Sequence, residues 1–245
     1  VFDDMNVEGR WYDKKTGSYI FVYDASLVTV VNAAFPEMRG RRVGAEDPRK
    51  AFACEQLLSG SRQGVWGHAD WRDAVTGNKG IKSAFLRLAT APSGNRYIVG
   101  SGALNLPIER RFIEELVDST AEQVATLGTN AFSLINQLDG PFRFRDIYVF
   151  VDNPQHIELV NPAFPEVVGK DLSDLQDAKG LYMVREYISK ALTDGHGWTE
   201  YDWPRPGESA PSRKHTYTRK TEYNGYIFIV GAGLYLAPSA DSGAQ

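Results

Sequence analysis

YIFVYDASLVTVVNAAFPEMRGR, Tyr19 to Arg41, lies without a gap over YVFVDNPQHIELVNPAFPEVVGK, Tyr148 to Lys170, when the sequence is slid on itself by 129 positions. Ten of those 23 pairs are identical, and the densest run is NAAFPE against NPAFPE. Downstream, Trp66, Asp70 and Trp71 match Trp198, Asp202 and Trp203 at an offset of 132, and Gly100 and Gly102 match Gly231 and Gly233 at an offset of 131. Three segments in the same order are far beyond chance. A period near 130 residues is too long for a solenoid unit, so the chain is a duplicated domain. The expected division is 1–106 and 107–245.

Within a copy, Tyr148 to Asp152 is β-branched and aromatic, Asn153 and Pro154 are turn residues, and His156 to Val160 reads as a returning strand. Leu181, Val184, Ile188 and Leu192 then recur at helical spacing, with Gly195 where a C-terminal cap belongs. In the first copy Asp47 is the expected N-cap of the same helix and Pro48 its first residue. Three strands follow, near Trp198–Trp203, Arg213–Thr221 and Tyr226–Leu236. Their short links forbid parallel crossovers, so each copy is an α+β unit with an antiparallel sheet of about five strands. Between the copies, apolar residues from Ile113 to Leu138 alternate spacings of four and three, which predicts one long helix over 107–138, about 45 Å in length. It packs on its own sheet or forms the seam of a homodimer; the spacing allows both.

The formal charge of -4 provides no basic field for nucleic acid. The longest apolar runs, such as Tyr226 to Val230, fall far short of the roughly 20 residues a membrane helix needs. Cys54 is the only cysteine, so an internal disulfide is excluded, and it reads best as a buried small hydrophobe. The chain opens at Val1 without an initiator methionine or a signal-peptide pattern, and the expectation is that upstream sequence has been removed. The tail Ser239 to Gln245 reads as disordered.

The succession YVFV, NPAFPEVVGK, GWTEYDWPRP, KHTY and IVGAGLYL resembles the type 2 single-Cache family across about Pro107 to Leu236. The first copy resembles it more weakly, with KSAF (Lys82 to Phe85) in place of KHTY. The resemblance implies two tandem PAS-like Cache domains: extracytoplasmic, periplasmic or outward-facing sensors of chemoreceptors or histidine kinases, or free binding proteins. Several members bind short carboxylates, and no cofactor is implied. A membrane would be met only through segments outside this chain.

A site for a short carboxylate needs a cation, fixed hydrogen-bond donors and aromatic walls. Lys214 and Tyr217 lie three apart on one strand and so point to opposite faces unless a bulge intervenes. Without a bulge, Tyr217 with Tyr201 is the favoured donor pair if Lys214 points away; the resemblance implies that both Lys214 and Tyr217 contribute. Tyr201 and Trp203 share a face, one a donor and the other a wall. Asn161 caps the turn around Pro162 or touches ligand, and Tyr187 reaches from the short helix toward the sheet, whereas Arg185 belongs on a solvated face. The first copy has Ala69 and Phe85 at the positions of Tyr201 and Tyr217 and keeps Lys82, so the second copy is expected to bind and the first to support it. Gly231 and Gly233 mark close approach of neighbouring atoms rather than a phosphate loop.

His68, His156, His196 and His215 show no metal-binding spacing and are expected mostly at the surface. No Ser or Cys sits in a nucleophile motif. A binding module is therefore favoured over an enzyme, and the remaining alternative is a structural or dimerising module whose pocket is filled by its own side chains.

Overall fold

The computed structural model describes the chain except residues 1, 6, 8, 9, 44–47, 61, 106–109, 139 and 237–245. Asp47, the start of the predicted long helix and the Ser239–Gln245 tail lie outside the described residues. The chain forms two compact units, Val1–Pro107 and Ile108–Gln245.

The first unit runs α1 (Phe2–Met5), β1 (Tyr12–Asp13), β2 (Ser18–Asp24), β3 (Thr29–Asn32), α2 (Pro48–Ser59), β4 (Gly64–Arg72), β5 (Lys79–Thr90) and β6 (Arg96–Leu104). The second runs α3 (Arg110–Leu127), α4 (Ala131–Ile135), β7 (Arg143–Phe144), β8 (Ile147–Asp152), β9 (Glu158–Val160), α5 (Met183–Asp194), β10 (His196–Pro204), β11 (Pro211–Tyr223) and β12 (Tyr226–Tyr235). The sheets have one topology: β1-β2-β6-β5-β4 with β3 on β2, and β7-β8-β12-β11-β10 with β9 on β8. Every pairing is antiparallel. Each sheet has six strands rather than about five, because the outer edge of β2 or β8 is shared by a two-residue strand and the returning hairpin strand.

The glycines of the last strands make these sheets close-packed. A Cβ on Gly231 would stand 2.3 Å from the Phe150 ring, and one on Gly100 2.2 Å from the Phe21 ring. Only glycine lets those rings lie flat on the neighbouring strand. Each sheet's core lies on the face carrying these rings, under α2 or α5. Gly195 ends α5 in the left-handed conformation at φ 84°, as a C-terminal glycine does.

The predicted long helix is two helices. Gly128, at φ +57°, ends α3, and a single 3-10 turn, Gly128–Asn130, leads into α4. A Cβ at Gly128 would stand 2.4 Å from the Tyr223 ring, so the glycine is required both by the backbone and by the close approach of β11. Its 18 residues make α3 about 27 Å long. The buried stripe Ile113, Val117, Ala121 and Val124 packs on β11 and β12 of its own unit, and Thr221 Oγ1 donates to the Ala121 carbonyl at 3.0 Å. No described helix is long and apolar enough to cross a membrane.

Candidate functional site

The register of β10 on β11 decides which side chains converge. Tyr201 pairs directly with Lys214 and Trp198 with Tyr217, and the β11 register is unbroken from Pro211 to Tyr223. Without a bulge, residues three apart face opposite ways. Lys214 shares the α5 face with Tyr201 and Trp203, and Tyr217 takes the other. The expected donor pair of Tyr217 and Tyr201 is therefore not formed. Tyr217 packs at 5.4 Å from the Trp198 ring, whose Nε1 donates to Glu114 of α3 at 2.9 Å. The first unit repeats the arrangement. Ala69 pairs with Lys82, and Phe85 turns away to meet Trp66 at 5.5 Å.

On the α5 face a cavity of about 30 Å³ is bounded by Tyr148, Tyr201, Trp203, Lys214, Asn161 and Tyr187, with Phe150, Glu158 and residues of α5 completing its wall. Lys214 is almost wholly buried. Its Nζ donates to the Tyr148 hydroxyl at 2.8 Å and lies 4.1 Å from the centre of that ring. No carboxylate is in salt-bridge contact with it among the described residues. Burial holds its pKa down to about 7, with Glu158 and Asp146 pulling the other way. Tyr201 OH accepts from Thr216 Oγ1 at 2.9 Å, which leaves the phenol's own proton for a further acceptor.

Two carboxyl groups stand behind this cation, and the sequence comparison missed both. Tyr187 OH donates to Asp152 Oδ2 at 2.8 Å. Asp152 pairs with Glu158 across the β8–β9 hairpin, where a register shift brings the two side chains together. Glu158 Oε1 accepts from Asn161 Nδ2 at 2.9 Å. Burial raises the Asp152 pKa to about 7, against the pull of Tyr187 and Glu158, and raises that of Glu158 further through Asp152's charge. Both carboxyls therefore hold a proton more readily than a free carboxyl does, and Asp152 Oδ1 makes no hydrogen bond. The readable signal was the difference between copies: Asp152 and Glu158 stand where the first copy has Tyr23 and Thr29.

The remaining predicted residues divide as follows. Asn161 both caps its turn, Oδ1 accepting from the Phe164 backbone at 2.9 Å, and lines the cavity; Asn32 Oδ1 caps the equivalent turn through Phe35 at 3.0 Å. Trp203 meets Phe164 edge-on at 5.5 Å. Arg185 is exposed and paired with Asp174 at 2.5 Å. Two of the histidines are buried, against expectation. His68 Nδ1 bonds Ser83 Oγ at 2.7 Å, and burial keeps its ring neutral with a pKa of about 4. His215 lies between Trp198 and Arg110. Cys54 is fully buried and its thiol is pushed up to about 12. Among the described residues no group of three His, Cys, Asp or Glu is placed to hold a metal.

Residues 111–237 match the family model of Single Cache domain 2. The methyl-accepting chemotaxis protein McpP of Pseudomonas putida KT2440 is 30% identical over 91 residues, which are 37% of this chain and 16% of that protein. The match thus spans a small part of that relative. Among solved structures, a periplasmic sensor domain of a chemotaxis protein is 25% identical, covering 51% of this chain and 88% of that one with a TM-score of 0.42. A Cache chemosensory domain described for carboxylic acid recognition is 22% identical, covering 49% and 84% with a TM-score of 0.42. A methyl-accepting chemotaxis protein from Vibrio parahaemolyticus is 20% identical, covering 51% and 87% with a TM-score of 0.44.

Proposed function

The chain belongs to the Single Cache domain 2 family, and on that premise we propose that its second unit senses a small organic acid of about two to four carbons outside the cytoplasm. The observation that carries the reading is Lys214, a buried ammonium with a phenol and aromatic rings around it and no carboxylate partner. Burying a charge is costly unless it is paired. An organic acid supplies the missing anion, with its oxygens on Lys214 Nζ and the Tyr201 hydroxyl and its carbon body against Trp203. Pyruvate, lactate, acetate and propionate are the candidate class. Tyr187, Asn161, Glu158 and Asp152 form the floor, where burial raises both carboxyl pKa values and so limits the negative charge that faces the ligand beside Lys214. Tyr217, on the α3 face, transmits rather than binds: a shift of β11 reaches α3 through Tyr217, Trp198 and Glu114.

The first unit shares the second's topology and repeated motifs, and we read it as a second Cache-like domain. The parent protein is then a chemoreceptor, a sensor kinase or a free binding protein, with any membrane anchor or output domain supplied by other segments.

A structural module is the second reading, favoured by the cavity's size: about 30 Å³ holds roughly two waters. Acids larger than acetate require α5 or the Asn161–Leu181 segment to move outward. A thermal-shift screen with the four acids at about 1 mM separates the readings, since a ligand with a Kd near 10 µM adds about 2.7 kcal/mol. A shift lost in Lys214→Met supports the sensor. No shift with any acid supports the structural module.

A further inference from the structure

The first unit has a larger cavity than the second, about 50 Å³, on the same face of its own sheet. Its chemistry is different. Lys82 reaches into it with Nζ 3.5 Å from the Tyr19 ring centre and 4.2 Å from that of Phe21, and it has no hydrogen bond or ion pair among the described residues. Lys50 also borders the cavity, its Nζ 4.3 Å from the Trp71 ring centre. Among the described residues no carboxylate lines it. The positions of Asp152 and Glu158 are held by Tyr23 and Thr29, so the two carboxyls that face Lys214 in the second unit have no counterpart beside Lys82.

Two further polar groups lack partners. Tyr19 is 5% exposed, and its hydroxyl makes no hydrogen bond. The Trp71 indole N–H lies near enough to oppose the rise that burial causes in the Tyr19 pKa, but it does not reach hydrogen-bond geometry, and it too has no partner. A buried donor left unmade costs about 1 to 3 kcal/mol. A cation and two unsatisfied donors around one cavity are the complement of an anion. Burial, reinforced by Lys50, also presses the Lys82 pKa down, a cost that a bound anion relieves.

The same wall specifies the anion's body. Ala69 and Ala84 stand where the second unit has Tyr201 and Thr216, which removes the hydroxyls that would receive a keto or hydroxyl oxygen next to the carboxylate. Leu86 and Phe21 complete an apolar lining. We propose that the first unit carries its own binding site, for a short-chain monocarboxylate with a purely hydrocarbon tail, separate from the site of the second unit; at about 50 Å³ the cavity holds about three waters, so a tail longer than that of acetate moves α2 outward.

The test is calorimetric titration of the full chain with isobutyrate, lactate and isobutyramide. Isobutyrate binds, lactate binds at least tenfold more weakly in a Lys214→Met background, and the uncharged amide does not bind. In the Lys214→Met background, which silences the second unit, isobutyrate still binds, and adding Lys82→Met weakens it at least tenfold. Ala69→Tyr, which fills the cavity while keeping the lysine, also weakens it tenfold and guards against a folding defect in the first variant. Isobutyrate binding that survives both Lys82→Met and Ala69→Tyr, equal binding of the amide, or no binding of isobutyrate overturns the proposal. Loss in Lys214→Met instead assigns the acid to the second unit.

Discussion

Replacing Lys214 by methionine exchanges a buried ammonium for an apolar side chain of similar length, and the structure sets the sign of the effect. Lys214 titrates near 7 in the folded chain, against an ordinary 10.5. A depression of that size corresponds to a charging cost of about 4 to 5 kcal/mol at pH 6. The substitution gives up the 2.8 Å bond to Tyr148 and leaves that hydroxyl short of a partner, at about 1 to 3 kcal/mol. The net expectation at pH 6 is stabilisation of the second unit by about 2 kcal/mol, as for other buried charges replaced by hydrophobic residues. That is a rise of roughly 5 to 10 °C for a unit of this size. The pH dependence carries the stronger test. A lysine whose folded pKa is lowered destabilises the fold fully below about 7, and the penalty fades as pH rises toward the unfolded value. At pH 9 about 2 kcal/mol of it remains, and the variant then melts close to the parent chain. Scanning calorimetry at pH 6 and pH 9 reads both numbers. A variant that melts more than about 5 °C below the parent at pH 6, or that shifts equally at both pH values, would refute the assignment of Lys214 as an unpaired buried cation.

Affinity of the second unit for an organic acid should weaken about tenfold per pH unit above 7, where Lys214 loses its proton; titration from pH 6 to pH 9 gives the slope, and a flat profile contradicts the role assigned to the ammonium. Asp152 has the opposite sense. Its pKa is raised to about 7, so its contribution is intact below about 4 and is lost as pH climbs to 7. Asp152→Asn should therefore gain a few kcal/mol at pH 8 and little at pH 4, measured by urea unfolding; equal effects would show that the carboxyl is not protonated in the fold. Gly128→Ala imposes a side chain at φ +57° and 2.4 Å from the Tyr223 ring. A loss of about 2 to 4 kcal/mol is expected in the same assay, and a neutral result would mean that α3 and α4 can join without that turn.

The internal repeat, the hairpin strands and the helix before Gly195 were all legible in the sequence, because repeated identities and periods of 2 and 3.6 are local properties of the chain. So was the rule that Lys214 and Tyr217 cannot share a face of a regular strand. Which of them meets the cavity was not legible, because a strand's alternation has no label for its two sides. That choice was made by α5 covering one face and α3 the other, and by β11 keeping its register without a bulge. The break at Gly128 was hidden because the apolar spacing runs on through it, and only the approach of Tyr223 from a distant strand shows why a glycine stands there. Asp152 and Glu158 were visible as differences between the copies, but five residues of chain separate them. The β8–β9 hairpin shift and the burial of both side chains turn them into a charge-coupled pair. Sequence alone thus determined the modules and the two faces of each strand. The tertiary structure decided which face became the pocket and which charges it encloses, since burial and charge coupling depend on distances that the chain acquires only when folded.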